Sequence, residues 1–180
     1  MLTQSKKLLN SETLEPYNKK ISSFLKKHHV LTLATSSDNT PWVAHCFYAF
    51  MEDQMCLVFT TDDDTKHGKQ MIENPNVSVG IAWETKVIGQ IRGAQISGQA
   101  LKVEKLKSSN VEKVKNIGTF QPRIKSGAGS LNLSTAAKSA YLKRFPYAAL
   151  LKTNLWVIQI NTIKYTDNRL GFGTKLNWER

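Results

Sequence analysis

Cysteine is scarce, with only Cys46 and Cys56 among 180 residues. Two thiols cannot build the disulfide framework of a small secreted domain, so a cytoplasmic protein with reduced thiols is expected. Long apolar runs are missing as well. The longest, Ala44–Met51 and Met55–Phe59, fall well short of the roughly 18 residues a membrane-spanning helix needs, so no membrane partner is expected. Residues Met1–Asn10 include two lysines but no apolar stretch and no small-residue cleavage site, which argues against a signal peptide.

Several catalytic and ligand-binding signatures are absent too. There is no GxxxxGK[ST] phosphate loop and no GxSxG elbow, and Gly171-Phe172-Gly173 lacks the third glycine of a dinucleotide fingerprint. Asp62, Asp64 and Glu73 match positions 1, 3 and 12 of a calcium loop. Lys66 and His67 then stand where a ligand and a glycine are required, which removes that reading. His28, His29, His45 and His67 follow no zinc-binding spacing. Cys46, on an apolar strand, reads as a small core residue rather than a nucleophile.

Acidic residues are also few, 14 against 25 basic, for a net charge of +11. Placement matters more than the total. Residues 31–101 hold four basic and eight acidic side chains, so the positive excess lies outside the middle of the chain. A basic surface attracts phosphates of any kind, but lysine runs are commonly solvated helix faces. No nucleic-acid motif accompanies them, and nucleic acid is not expected as a partner.

What is present is mostly strand signal. Leu14, Tyr17, Ile21, Phe24 and Leu25 recur at helical spacing and predict a helix over 12–28. The period then changes. His29–Ser36, Trp42–Met51 and Met55–Thr61 read as strands separated by short turns, 37–41 and 52–54, which implies antiparallel pairing. Asp62-Asp63-Asp64 is placed to cap a short helix over Lys66–Glu73. Val77–Trp83, Val87–Val103 and Leu155–Tyr165 are further strands, and a short last strand is expected in the tail. Gly89, Gly93 and Gly98 suggest bulges or sharp bends. Residues 105–135 form a lysine-rich excursion, followed by a helix over Ala136–Phe145 that stops before Pro146. The sum is one mainly β domain over 1–180, a closed antiparallel barrel with peripheral helices.

One stretch carries a more specific signal. It runs from HVLTLAT (29–35) through Pro41 and the paired strands to Phe59-Thr60, then Thr65-Lys66, then Ile72-Glu73-Asn74-Pro75 and the strand Val77–Trp83. This order and spacing over 29–100 resemble the pyridoxamine 5′-phosphate oxidase-like, FMN-binding split-barrel superfamily. Lys143-Arg144-Phe145-Pro146 and Tyr165–Lys175 are similar to a branch of small bacterial proteins without assigned function. Against that branch, 105–135 looks like a basic insertion.

The resemblance implies a six-stranded Greek-key split barrel that forms a homodimer and holds FMN in grooves between the subunits. It also implies site residues. Thr60 and Lys66 keep the interval of the superfamily's phosphate contacts, and Thr65 stands where an arginine is common. His45, Cys46 and Phe47 lie on the strand that walls the flavin ring in relatives. Arg92 and Gln95 are candidate donors to the ring or ribityl chain, and Lys175 is a candidate to reach across the interface. Ala44 and Ala49 replace the two basic residues that pyridoxamine phosphate oxidase carries on the second strand, which argues against vitamin B6 oxidation in particular.

The leading expectation is therefore an FMN-dependent oxidoreductase of unspecified substrate, with the chemistry residing in the flavin. Other classes stay open: a flavin- or haem-binding module without turnover, and nucleic-acid binding through the basic insertion.

Overall fold

Two turns with left-handed backbone set the first three strands. The computed structural model describes residues 11–105 and 133–180. Helix α1 (Ser11–Lys27) leads into β1 (Val30–Ser37), which pairs along its whole length with β2 (Thr40–Met51). Asp38 and Asn39 alone make the connecting turn, with φ of 48° and 58°. Two successive positive φ values match the twist of a hairpin, and Asp and Asn tolerate them better than most residues. The turn is tighter than the sequence suggests, so Pro41 lies inside β2, opposite Ser36. A second turn over Glu52–Gln54, with Met55 at φ 50°, delivers β3 (Cys56–Thr61).

Helix α2 (Lys66–Glu73) follows, then β4 (Asn76–Trp83), β5 (Arg92–Lys105), α3 (Leu133–Arg144), β6 (Asn154–Asp167) and β7 (Lys175–Glu179). The cap of α2 is Thr65, whose hydroxyl accepts from Gly68 N at 3.1 Å, so the preceding Asp62-Asp63-Asp64 run is not the cap. The strand expected from Val87 begins only at Arg92. Asn168 holds Val87–Ile91 in a separate turn, through Nδ2 to Ile88 O at 2.8 Å and its N–H to Ile91 O at 3.0 Å. Most of the lysine-rich 105–135 segment lies outside the described residues.

All neighbouring strands are antiparallel, in the order β3-β2-β1-β4-β5-β6, and β6 bonds back to β3 to close a six-stranded barrel. Three hairpin-linked strands with the fourth returning beside the first is a Greek key. The seventh strand sits outside this ring. Residues 154–159 of β6 pair with β3, whereas 162–166 pair with β7. Arg180 binds the fork between the two, its N–H reaching Asn161 O at 3.0 Å and its Nε reaching Ile160 O at 2.8 Å. In β5 the register shifts between Ser97 and Gly98, and a Cβ at Gly98 would overlap the carbonyl oxygen of Gln159.

Hydrophobic packing forms two layers. The barrel interior holds Leu31, Leu33, Tyr48, Phe59, Trp156 and Ile158, with Phe24 and Leu25 of α1 closing one end. A second core lies outside the barrel, where Val58, Val103 and Val157 pack under Ala137 and Tyr141 of α3. Strand β3 is thus buried on both faces, which is why its CLVFT sequence shows no polar alternation. Buried hydroxyls tie the helices on. Tyr48 donates to Leu25 O at 2.7 Å, and Thr35 donates to Gln70 Oε1 at 2.6 Å.

Asp167 is 1% exposed and accepts from Tyr165 Oη, Arg169 N and the Arg169 guanidinium. These bonds, the Arg169 side chain first, pull its carboxyl down to about 2. A carboxylate more acidic in the folded chain adds stability above its unfolded pKa, and that stability is lost as pH falls from about 4 to about 2. Half-exposed Arg169 screens part of the gain, leaving about 1–2 kcal/mol. Asp167→Asn should lose this at neutral pH and flatten the acid limb of urea-unfolding stability below pH 4. Gly98→Ala should cost about 1–3 kcal/mol in the same measurement, the usual range for overpacking.

Candidate functional site

Where β3 runs out, its pairing with β2 stops. β2 pairs with β3 only from Tyr48 onward, so residues 40–47 continue beyond it alongside β1. Thr60 and Thr61 end β3, a tight turn follows, and α2 starts at Lys66. Thr61 Oγ1 lies 2.6 Å from His67 Nε2, and burial pulls the His67 pKa down, which favours the neutral ring. The Thr65 hydroxyl donates to Asp62 O at 2.7 Å while accepting from Gly68 N, so its single proton is already engaged. A Cβ at Gly68 would overlap the Asp62 carbonyl oxygen, so only glycine lets the turn fold this closely onto the helix.

Two groups here face outward. Thr60 Oγ1 lies 3.1 Å from the Tyr141 hydroxyl. Lys66 is exposed, its ammonium 4.3 Å from the centre of the Trp42 ring, and no carboxylate among the described residues pairs with it. Of the neighbouring acids, Asp63 is neutralised by Lys102. An ammonium and a hydroxyl are both groups that can hold a phosphate, and Lys66 also borders a hollow shared with Lys69, Asp38, Asp64 and Glu73. Thr65 serves the turn itself.

The adjoining wall is the outer face of β2. His45 is exposed and meets Thr32 Oγ1 through Nδ1 at 3.1 Å. Phe47 is 59% exposed, with its ring 5.5 Å from that of Phe145 at the end of α3. Tyr141 lies 5.1 Å from the same Phe145 ring, and His29 lies 6.5 Å from it. This ridge of Thr60, Tyr141, Phe145 and Phe47 was only half legible in the sequence. The α3 residues show helical spacing but nothing that ties them to Thr60. Cys46 faces the other way, into the barrel core, where burial pushes its thiol up to about 11. Only its backbone borders the wall.

The remaining candidates gather elsewhere. Arg92 pairs across strands with Asp167, Gln95 with Lys164, and Lys175 with Thr166, so all three share one end of the β5-β6-β7 sheet. Gln95 and Lys175 are exposed, while the Arg92 guanidinium stacks over Trp83 at 4.8 Å. Thr60 pairs with Leu155, twelve residues back along β6 from the partner of Arg92. At about 3.3 Å per residue this is roughly 40 Å of strand. The strand curves with the barrel, and side chains link the two groups: Trp83, under Arg92, lies 5.7 Å from His28, whose carbonyl accepts from Arg144, next to Phe145.

Comparison with known proteins agrees with this architecture. The family model described as pyridoxamine 5′-phosphate oxidase matches residues 17–135. The UPF0306 protein of Photorhabdus laumondii is 36% identical over 160 residues, covering 89% of this chain and 94% of that protein. Among solved structures, a haem-binding protein from Mycobacterium smegmatis superposes with a TM-score of 0.62 at 16% identity, over 96% of this chain and 60% of that one. An FAD-binding protein from Mesorhizobium loti gives 0.54 at 15% identity, over 81% and 90%. Fold, strand order and the matched span converge, and the chain belongs to the pyridoxamine 5′-phosphate oxidase family.

Proposed function

We propose that this chain binds FMN in a crevice shared by two copies and acts as an FMN-dependent oxidoreductase. The observation that carries the reading is that the candidate residues fall in two groups, one where β3 ends and α2 begins, the other where β5 begins and β6 ends. Thr60 and Lys66 take the phosphate on one copy, beside the His45–Phe47 wall. Arg92, Gln95 and Lys175 come from the other. A homodimer also covers the exposed apolar side chains Val30, Val43 and Phe47 on the outer sheet face. When bound, the flavin supplies the hydride or electron chemistry. The protein's part is to bind the anion by charge and hydroxyl, to hold the ring against β2, and to exclude water by pairing.

Haem is the second reading. It draws on the exposed imidazole of His45 and on His29, whose ring meets Phe145 beside Phe47, and on the similarity to a haem-binding protein.

An absorption spectrum of the purified protein separates the two: flavin bands are expected, whereas a Soret band would favour haem. The solution mass should equal two chains. Lys66→Ala should weaken FMN about 10- to 100-fold, the worth of a hydrogen bond to a charged group. Unchanged affinity in an equilibrium titration would remove Lys66 from the site. Reduction of the bound flavin by NADH or NADPH, with reoxidation by an acceptor, is expected of an enzyme. Its absence would leave a binding module without turnover.

A further inference from the structure

The hydroxyl pair between β3 and α3 can run in either direction, with Thr60 or Tyr141 as the donor. Thr60 carries one proton and two lone pairs. The only partner described for its hydroxyl is that of Tyr141, 3.1 Å away and 81 residues later in the chain. Tyr141 is 4% exposed, and its ring is fixed in the outer core with Ala137, Val58 and Val157, against Phe145. If Thr60 gives its proton to an anion, the shared bond must be donated by Tyr141.

We propose that Tyr141 is a positioning residue for phosphate recognition: by donating to Thr60 Oγ1 it turns the threonine proton outward, toward the phosphate. This inference rests on the reading that Thr60 and Lys66 hold the FMN phosphate. It extends that reading to α3, which joins the candidate phosphate ligands through this one described hydrogen bond. Burial raises the Tyr141 pKa, so the phenol remains a protonated donor across the neutral range. A donor already aligned before binding spares Thr60 a reorientation, and a chain of hydrogen bonds ending on an anion strengthens each member.

The test compares FMN with riboflavin, which has the same ring and ribityl chain but no phosphate. Apoprotein is titrated with each by flavin fluorescence, for wild type, Tyr141→Phe, Thr60→Val and the double variant. Tyr141→Phe should weaken FMN about fivefold to tenfold and leave riboflavin within twofold. In the Thr60→Val background it should add nothing, because the proton it orients is gone. Tyr141→Met, also without a hydroxyl, should behave like Tyr141→Phe, and far-UV circular dichroism checks that each variant folds. Unchanged FMN affinity, or an equal loss for both flavins, overturns the proposal. If Lys66→Ala abolishes the preference for FMN while Tyr141→Phe keeps it, only the role of Tyr141 falls. If wild type itself shows no preference for FMN, the phosphate clamp falls and Tyr141 with it.

Discussion

The ladder between β3 and β6 decides whether this sheet is a barrel. Six residues, Cys56–Thr61, pair in antiparallel register with Asn154–Gln159. Without that pairing, β3 would be an open edge carrying a continuous apolar sequence, the kind of strand that pairs with a neighbouring chain. With it, both faces of β3 are covered, one by the barrel interior and the other by α3. The same closure fixes where β3 ends, and so where Thr60 stands relative to the outer face of β2.

Burial on both faces shapes the candidate site in a second way. Side chains that alternate along β3 cannot all point into one core. Phe59 goes inward, while Val58 and Thr60 go outward under α3. A hydroxyl at the rim of an apolar layer has few partners, and Tyr141 supplies the described one. The region where β5 begins and β6 ends is built differently. There the Arg92 guanidinium over Trp83 and buried Asp167, paired with half-exposed Arg169, tie down the turns beside β5 and β6.

Much of the fold could be read from local sequence. The change from helical to strand period near residue 29, the short helix over Lys66–Glu73 and the alternation of Leu155–Tyr165 all matched the observed elements. The misplacements came from contacts between distant segments. Val87–Ile91 is apolar and reads as strand, yet the amide and side chain of Asn168 draw it into a turn. Pro41 reads as part of a turn, yet Asp38 and Asn39 alone adopt the left-handed backbone that the hairpin needs. The site was legible where its residues lie close in sequence, as at Thr60 to Lys66. Tyr141 was not, because a threonine and a tyrosine 81 positions apart give no periodic signal. Thr65 was read as a candidate ligand from its position, and the structure shows its hydroxyl working as a helix cap.

The closing ladder joins segments about a hundred residues apart in the chain. Pairing over such a separation is slow, since the loop between must be ordered before the bonds form. On the ribosome, β1 to β5 are complete well before β6 emerges, and until then β3 has an unprotected side. Synthesis therefore passes through an interval in which the apolar strand is exposed to other nascent chains. It ends only when Asn154–Gln159 of β6 arrive to pair with β3.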